Sequence, residues 1–252
     1  VFMESAKHDF WRLIMRKKIL MFLCLSVIPV TFTLGAEEMK NKSNAGSDTS
    51  AGTTIKLPQP KYAGSVSLEE AISKRRSVRN YENASLTIEE VSQLLWSAQG
   101  ITDPVRKRRS VPSAGALYPL ETYLVAGNIN KIPGGIYRFN PYNNELIEIV
   151  KGDSRADVSK AALSQGSVKG APATIIFAAV YERITTKYGD RGIKYAYIEA
   201  GHSAQNICLT AVSLNLGSVV IGAFYDEEIK SVLKMPDSET PLYIISIGKA
   251  AK

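Results

Sequence analysis

Ala173-Thr174-Ile175-Ile176-Phe177-Ala178-Ala179-Val180 is a continuous run, apolar but for Thr174 and rich in β-branched residues. A strand with one face in water alternates polar and apolar side chains, whereas a strand covered on both faces does not. The run therefore predicts a buried central strand. Ser218–Ile221 and Leu242–Ile247 share its character and predict two more. Leu120–Ala126 reads as a fourth strand. Gly135–Phe139 and Glu145–Val150 flank Asn140-Pro141-Tyr142-Asn143-Asn144, whose turn-forming residues predict a hairpin.

Helical patterns fill the intervals. Ser67-Leu68-Glu69-Glu70 reads as a capping box, in which Ser67 accepts from a first-turn amide and Glu70 reaches back. The helix it opens runs to about Lys74 and breaks over Arg75–Tyr81. Thr87-Ile88-Glu89-Glu90 repeats the signature and starts a helix that ends at Gly100. Asp157–Leu163, Tyr195–Leu216 and Asp226–Leu233 complete the set. Strands and helices thus predict one α+β domain with a mixed central sheet flanked by helices, over residues 62–252 and without internal repeats.

The chain has 252 residues, 31 Lys plus Arg against 24 Asp plus Glu, and a net charge of +7. Lys7, Arg12, Arg16, Lys17 and Lys18 against Glu4 and Asp9 supply +3 of this, which leaves +4 for the remainder. Such mild, scattered basicity argues against nucleic acid as a partner and suits an anionic small molecule. Two His residues argue against a histidine-based metal site. Cys24 and Cys208 make no disulfide framework, and Cys208 reads as a buried structural thiol.

Arg16-Lys17-Lys18, the apolar stretch Ile19–Leu34 and the small pair Gly35-Ala36 have the order of a secretory signal, with Met15 as a candidate start. Residues 1–36 are therefore expected to be a signal peptide, or a membrane anchor if uncleaved, and the protein to be exported. Residues 37–61 are polar and read as a flexible tether.

Arg75-Arg76-Ser77-Val78-Arg79 sets three guanidinium groups and a hydroxyl at a helix end. Arginines so spaced can grip a phosphate through bidentate bonds. On spacing alone a helix cap is the stronger reading, since cations favour the negative end of the helix dipole. Val111–Pro119 is a loop of small residues between prolines, suited to close approach by a planar ligand. Gly222 follows a buried strand and can offer a free amide.

Together these segments resemble the nitroreductase superfamily: Arg75–Arg79, Ser113–Glu121 and the tail Pro241–Lys249. Ser113–Glu121 with Glu199-Ala200-Gly201-His202-Ser203-Ala204-Gln205-Asn206 is similar to the SagB-type dehydrogenase branch. The resemblance implies a homodimer with two FMN sites at the subunit interface. It implies that Arg75, Arg76, Ser77 and Arg79 hold the phosphate, ribityl chain and polar flavin edge. It further implies that Ser113, Ala114 and Gly115 line the flavin from the partner subunit, that Gly222 directs its amide at flavin N5, and that Lys249 is a second phosphate cation. Azoline oxidases of the branch carry a Lys-Tyr pair, matched by Lys194-Tyr195, with catalytic roles in removing a ring proton. Gln205 and Asn206 read as helix packing at the dimer interface, and His202 as a hydrogen-bonded core residue.

Three activities follow from the resemblance. One is an FMN oxidoreductase passing hydride from NAD(P)H to a small organic acceptor. The second oxidises thiazoline or oxazoline rings in a modified peptide. The third binds flavin without turnover.

Overall fold

A computed structural model describes residues 53–251. The expected signal segment at 1–36 lies outside the described residues. Seven strands form one sheet: β1 (Thr54–Lys56), β4 (Leu120–Ala126), β5 (Gly135–Asn140), β6 (Glu145–Lys151), β7 (Ala173–Ala179), β8 (Gly217–Ile221) and β9 (Thr240–Gly248), in the order β1-β6-β5-β4-β7-β9-β8. A two-stranded ribbon, β2 (Ile101–Asp103) with β3 (Arg108–Arg109), stands apart. The α+β class and a central sheet flanked by helices are as the sequence predicts; the mixture of parallel and antiparallel ladders in that sheet is not. Its ladders are antiparallel throughout, and parallel pairing is confined to the bridges Ser77–Ser218 and Leu86–Ile129.

Helices cover both faces. They are α1 (Leu68–Lys74), α2 (Ile88–Gln99), α3 (Arg155–Ala161), α4 (Gly166–Gly170), α5 (Glu182–Tyr188), α6 (Arg191–Ser213) and α7 (Asp226–Leu233). On one face Leu124, Ile175, Phe177, Ile245 and Ile247 pack against Val91, Leu94, Leu95 and Ala98 of α2 and Ala204, Ile207 and Ala211 of α6. On the other, Tyr123, Val125, Ile176, Val219 and Ile244 meet Val158, Val168, Ile229 and Leu233. Ile175 and Ile176 thus enter opposite cores, which is why β7 is buried at every position and apolar at all but Thr174.

Local details depart from expectation where context overrides pattern. Ser67 accepts from the Glu70 amide at 3.1 Å, but the Glu70 carboxylate turns to Lys74 instead of closing the box. Thr87 and Glu90 do form the reciprocal box. Thr54–Lys56, assigned above to the tether, pairs with Glu145–Ile147, and Leu57 is buried. Three residues are too few to display a strand period. The long helix begins at Arg191, four residues before Tyr195, because Gly192 in its first turn masks the start. A Cβ on Gly192 would lie 3.0 Å from the backbone of Ile184, so α5 and α6 meet there by close approach. His202 is exposed on α6, not in the core, because no element among the described residues covers its face of the helix.

Among the described residues, no helix is long and apolar enough to cross a membrane, and no cluster of His, Cys, Asp or Glu has metal-binding geometry.

Candidate functional site

The basic segment lies where α1 ends and the chain joins the sheet. Arg75 is the C-cap residue. Arg76 donates to the carbonyls of Ser73 and Arg75 at 3.0 and 2.7 Å, so this guanidinium does cap the helix. The amide of Val78 then donates to Ser218 at 2.9 Å, and Ser77 bridges Ser218 at the start of β8. Arg75 is half-buried; Arg76, Ser77 and Arg79 are exposed. Among the described residues none of these three arginines takes part in an ion pair. Three cations without an ion-pair partner among the described residues thus lie together at one helix end, one of them capping it.

The C-terminal tail joins them. Gly217 of β8 pairs with Gly248 of β9, which brings Lys249 to the same end of the sheet. The Lys249 carbonyl accepts from the Glu82 amide at 2.9 Å, and the Ala251 amide donates to Asn80 at 3.1 Å. Tyr81 donates to Val78 at 2.8 Å and lies 3.0 Å from the Ser246 carbonyl, which fastens the segment to β9. Cys208 is buried beneath it; burial pushes its thiol up, against weaker lowering by Ser218 and Arg75. It is a buried thiol, as expected.

Gly222 follows the far end of β8. It is exposed, and a Cβ there would touch only Tyr243, at 3.9 Å. Four residues of strand separate Ser218 from Gly222, a span of about 13 Å. One edge strand therefore carries free cations at one end and an accessible backbone amide at the other.

The Ser113 loop precedes β4, three strands away from β8 in the sheet and so roughly 14 Å across it. Ser113 Oγ accepts from the Tyr118 amide at 2.9 Å. Gly115 (φ 64°), Ala116 (φ 54°) and Tyr118 (φ 48°) all adopt left-handed backbone, an unfavourable geometry outside glycine that the surrounding structure must hold. A Cβ on Gly115 would lie 2.9 Å from Tyr188 Oη and 3.0 Å from Lys187 Nζ. Tyr188 packs edge-on against Tyr195 (5.2 Å between rings), and Arg191 donates to Tyr195 Oη at 2.9 Å. Lys194 is exposed. The amine brought to the loop is thus that of Lys187, from a second Lys-Tyr pair on α5 that the sequence reading passed over.

Behind the loop is a polar cluster that the sequence reading also missed. The Glu199 carboxyl is buried and neither oxygen has a hydrogen bond of good geometry. Burial pushes it up to about 7, against the lowering effects of Ser113, Arg109 and Gln99 nearby. Gln99 donates to Ser203 Oγ at 2.8 Å and accepts from Arg109 at 2.9 Å. Arg109 stacks over the rings of Tyr118 and Tyr142 at 4.6 and 5.6 Å. These rings, with Glu121, Arg138 and Arg183, line a cavity of about 480 Å³. Glu121 accepts from both Arg138 and Arg183.

The nitroreductase family pattern matches residues 72–249, which span both ends of β8 and the Ser113 loop. The chain belongs to the nitroreductase family.

It is 41% identical over 198 residues to a Methanocaldococcus jannaschii protein itself named only as a candidate nitroreductase, covering 79% of this chain and 98% of that one. The trifolitoxin operon protein TfxC of Rhizobium leguminosarum bv. trifolii is 26% identical, over 78% of this chain and 60% of its own length. The microcin B17-processing protein McbC of Escherichia coli is 26% identical, over 65% of this chain and 62% of its own. A Ralstonia eutropha structure described as a candidate nitroreductase superposes with a TM-score of 0.69 at 25% identity, over 79% of this chain and 90% of that one. Asn206 donates to the Ser97 carbonyl at 3.0 Å and so packs α6 on α2 within one chain, while Gln205 is exposed.

Proposed function

We propose that this nitroreductase-family oxidoreductase binds FMN along β8 and transfers hydride between NAD(P)H and a small organic acceptor. The observation that carries the reading is the two-ended β8: unpaired Arg75 and Arg79 with Lys249 at its start, the open Gly222 amide at its finish. Bound FMN would supply reversible two-electron chemistry. Arg75, Arg79 and Lys249 would neutralise the phosphate, with Arg76 capping α1 and holding the segment in place. Ser77 would offer its hydroxyl to the ribityl chain. The Gly222 amide would donate to the ring nitrogen where charge develops on reduction. Ser113, Ala114 and Gly115 sit three strands across the sheet from β8, on the order of 14 Å. A second copy would bring them as the opposite wall, making the site a property of a homodimer.

The test is uptake of FMN by the purified protein, followed by absorbance and by quenching of flavin fluorescence. We expect a yellow protein, and a loss of affinity of about 100-fold or more in an Arg75→Ala, Arg79→Ala double variant, since hydrogen bonds to charged groups contribute about 1.5–3 kcal/mol each. Rapid anaerobic bleaching by NADH or NADPH is expected. Wild-type protein that takes up no FMN would falsify the reading.

A second reading, oxidation of thiazoline or oxazoline rings in a modified peptide, is favoured by the basic phenol cluster at Gly115. Hydride removal from such a ring needs a base for the neighbouring proton. Lys187, Tyr188, Arg191 and Tyr195 gather an amine, two phenols and a guanidinium at the loop, and Lys194 stands one residue from that phenol. Bleaching by a thiazoline peptide but by neither nicotinamide, lost in Lys187→Ala or Lys194→Ala, would select this reading and name the base. Flavin binding without turnover is the reading left if no donor bleaches the protein.

A further inference from the structure

The cavity beside the Ser113 loop has no part in either reading above. It lies where that loop enters β4, with the end of β5 and the hairpin turn after it as the other wall, and has a volume of about 480 Å³. Sites that hold small organic ligands occupy about 300–1,000 Å³. β4 is three strands from β8, so the cavity is distinct from the ground held by Arg75–Arg79.

The charges lining it do not balance. Arg109, Arg138 and Arg183 stand against a single carboxylate, Glu121. Arg183 bonds to Glu121. Arg138 reaches Glu121 at 3.1 Å and buried Glu239 at 2.6 Å. Two guanidinium groups and two carboxylates thus pair off. Arg109 is left over: among the described residues it enters no ion pair. Its Nη1 donates to the neutral side chain of Gln99, and its Nε is buried without a partner. The Glu199 carboxyl is near, but neither of its oxygens bonds to Arg109.

The walls beside Arg109 are aromatic. Its guanidinium lies 4.6 Å from the Tyr118 ring and 5.6 Å from that of Tyr142. Tyr118 is held at φ 48°, a left-handed backbone that costs energy in a tyrosine and persists where the surroundings fix it, as ligand clamps do. Tyr142 is 56% exposed at the hairpin turn, a large ring left in water, with the Lys107 amine 5.9 Å away. Two rings beside one uncompensated guanidinium make a slot for a flat anion. The rings meet its faces, and the guanidinium meets a carboxylate through charge-assisted bonds.

We propose that this cavity binds a planar aromatic carboxylate, with Arg109 as its charge partner and Tyr118 and Tyr142 as its walls. The site stands whether or not FMN binds. A second step rests on the reading that Ser113–Gly115 line the flavin. Ala116 and Tyr118 continue that loop, which makes aromatic acids the class of acceptor to expect.

The probe is 4-nitrobenzoate, compared by calorimetry with its uncharged analogue 4-nitrobenzamide on the full chain free of FMN. The acid is expected to bind about tenfold or more tighter than the amide. Arg109→Gln should erase that preference. Tyr142→Ala, at an exposed turn, should weaken the acid about three- to tenfold. The Arg75→Ala, Arg79→Ala double variant should bind the acid as wild type does. Equal affinity for acid and amide overturns the proposal, as does a preference that survives Arg109→Gln. If Arg109→Gln does not fold, undiminished affinity in Tyr142→Ala overturns it alone. Tighter binding of phenyl phosphate than of the acid overturns the carboxylate assignment, and loss of the acid in the double variant moves its site to β8.

The acceptor step is read in FMN-loaded protein with NADPH. The nitro group takes a hydride from NADPH by way of the cofactor and a proton from solvent, loses one oxygen as water and becomes nitroso. KM for the acid should lie about tenfold or more below KM for the amide, and equal values overturn this step. Protein that prefers the acid but takes up no FMN refutes the function proposed above, and the acceptor step with it, while establishing the site.

Discussion

Glu199 makes a prediction about folding. In the unfolded chain its carboxyl titrates near 4.5, and in the folded protein near 7. The folded state therefore holds the extra proton between these values. Stability is greatest below pH 4.5 as far as this group is concerned, falls as pH rises towards 7, and levels off above it. The full difference is about 3 kcal/mol for so deeply buried a group. Urea denaturation of Glu199→Gln should show a curve flatter with pH and higher than wild type at pH 8. Equal losses in both proteins between pH 5 and pH 8 would contradict this. At the same scale, the two Lys-Tyr pairs separate cleanly. Under the ring-oxidation reading Lys187→Ala should lower turnover by about 100-fold or more if its amine removes the ring proton. Lys194→Ala should act more weakly, because the amine beside Gly115 is that of Lys187; turnover of the two variants side by side decides between them.

At the scale of elements, β8 and the segment Arg75–Arg79 behave as one unit. A Cβ on Gly217 would lie 2.7 Å from the Val78 side chain, so only glycine lets the segment settle against the sheet. Gly217→Ala should push Val78 away, cost about 1–3 kcal/mol by overpacking and weaken FMN binding about tenfold through the displaced cations. Calorimetry and fluorescence titration read the two effects separately. Thr87→Ala offers a control in a helix remote from β8. Its hydroxyl accepts from the Glu90 amide at 3.1 Å, and Glu90 returns the bond at 2.7 Å. Losing that box should cost about 1 kcal/mol in denaturation with FMN affinity unchanged.

At the scale of the whole molecule, a site shared between copies makes a prediction that no single chain can. A copy carrying Arg75→Ala and Arg79→Ala lacks the phosphate grip, and one carrying Gly115→Val blocks its own loop against Tyr188. Each alone should be nearly devoid of bound FMN. Refolded together in equal amounts, half the dimers are mixed and hold one intact site of two, so FMN uptake should return to about a quarter of wild type. No recovery would exclude a shared site. The sequence by itself determined the α+β class, because burial on both faces of β7 leaves no polar position from Ile175 to Ala179. It also marked Arg75–Arg79 and Lys249 as candidates to hold an anion, through their chemistry and their order along the chain. Their capping role and their gripping role were not separable there: only the packed structure shows Arg76 bonded to α1 while Arg75 and Arg79 stay unpaired. Two Lys-Tyr pairs seven residues apart look equivalent on a continuous helix, but Gly189 ends α5 between them and the packing of α5 presents Lys187 to Gly115. The charge state of Glu199 was likewise invisible, because desolvation depends on what covers a residue. That cover comes from α2, β3 and the Ser113 loop, which are distant in sequence and meet only when the chain folds.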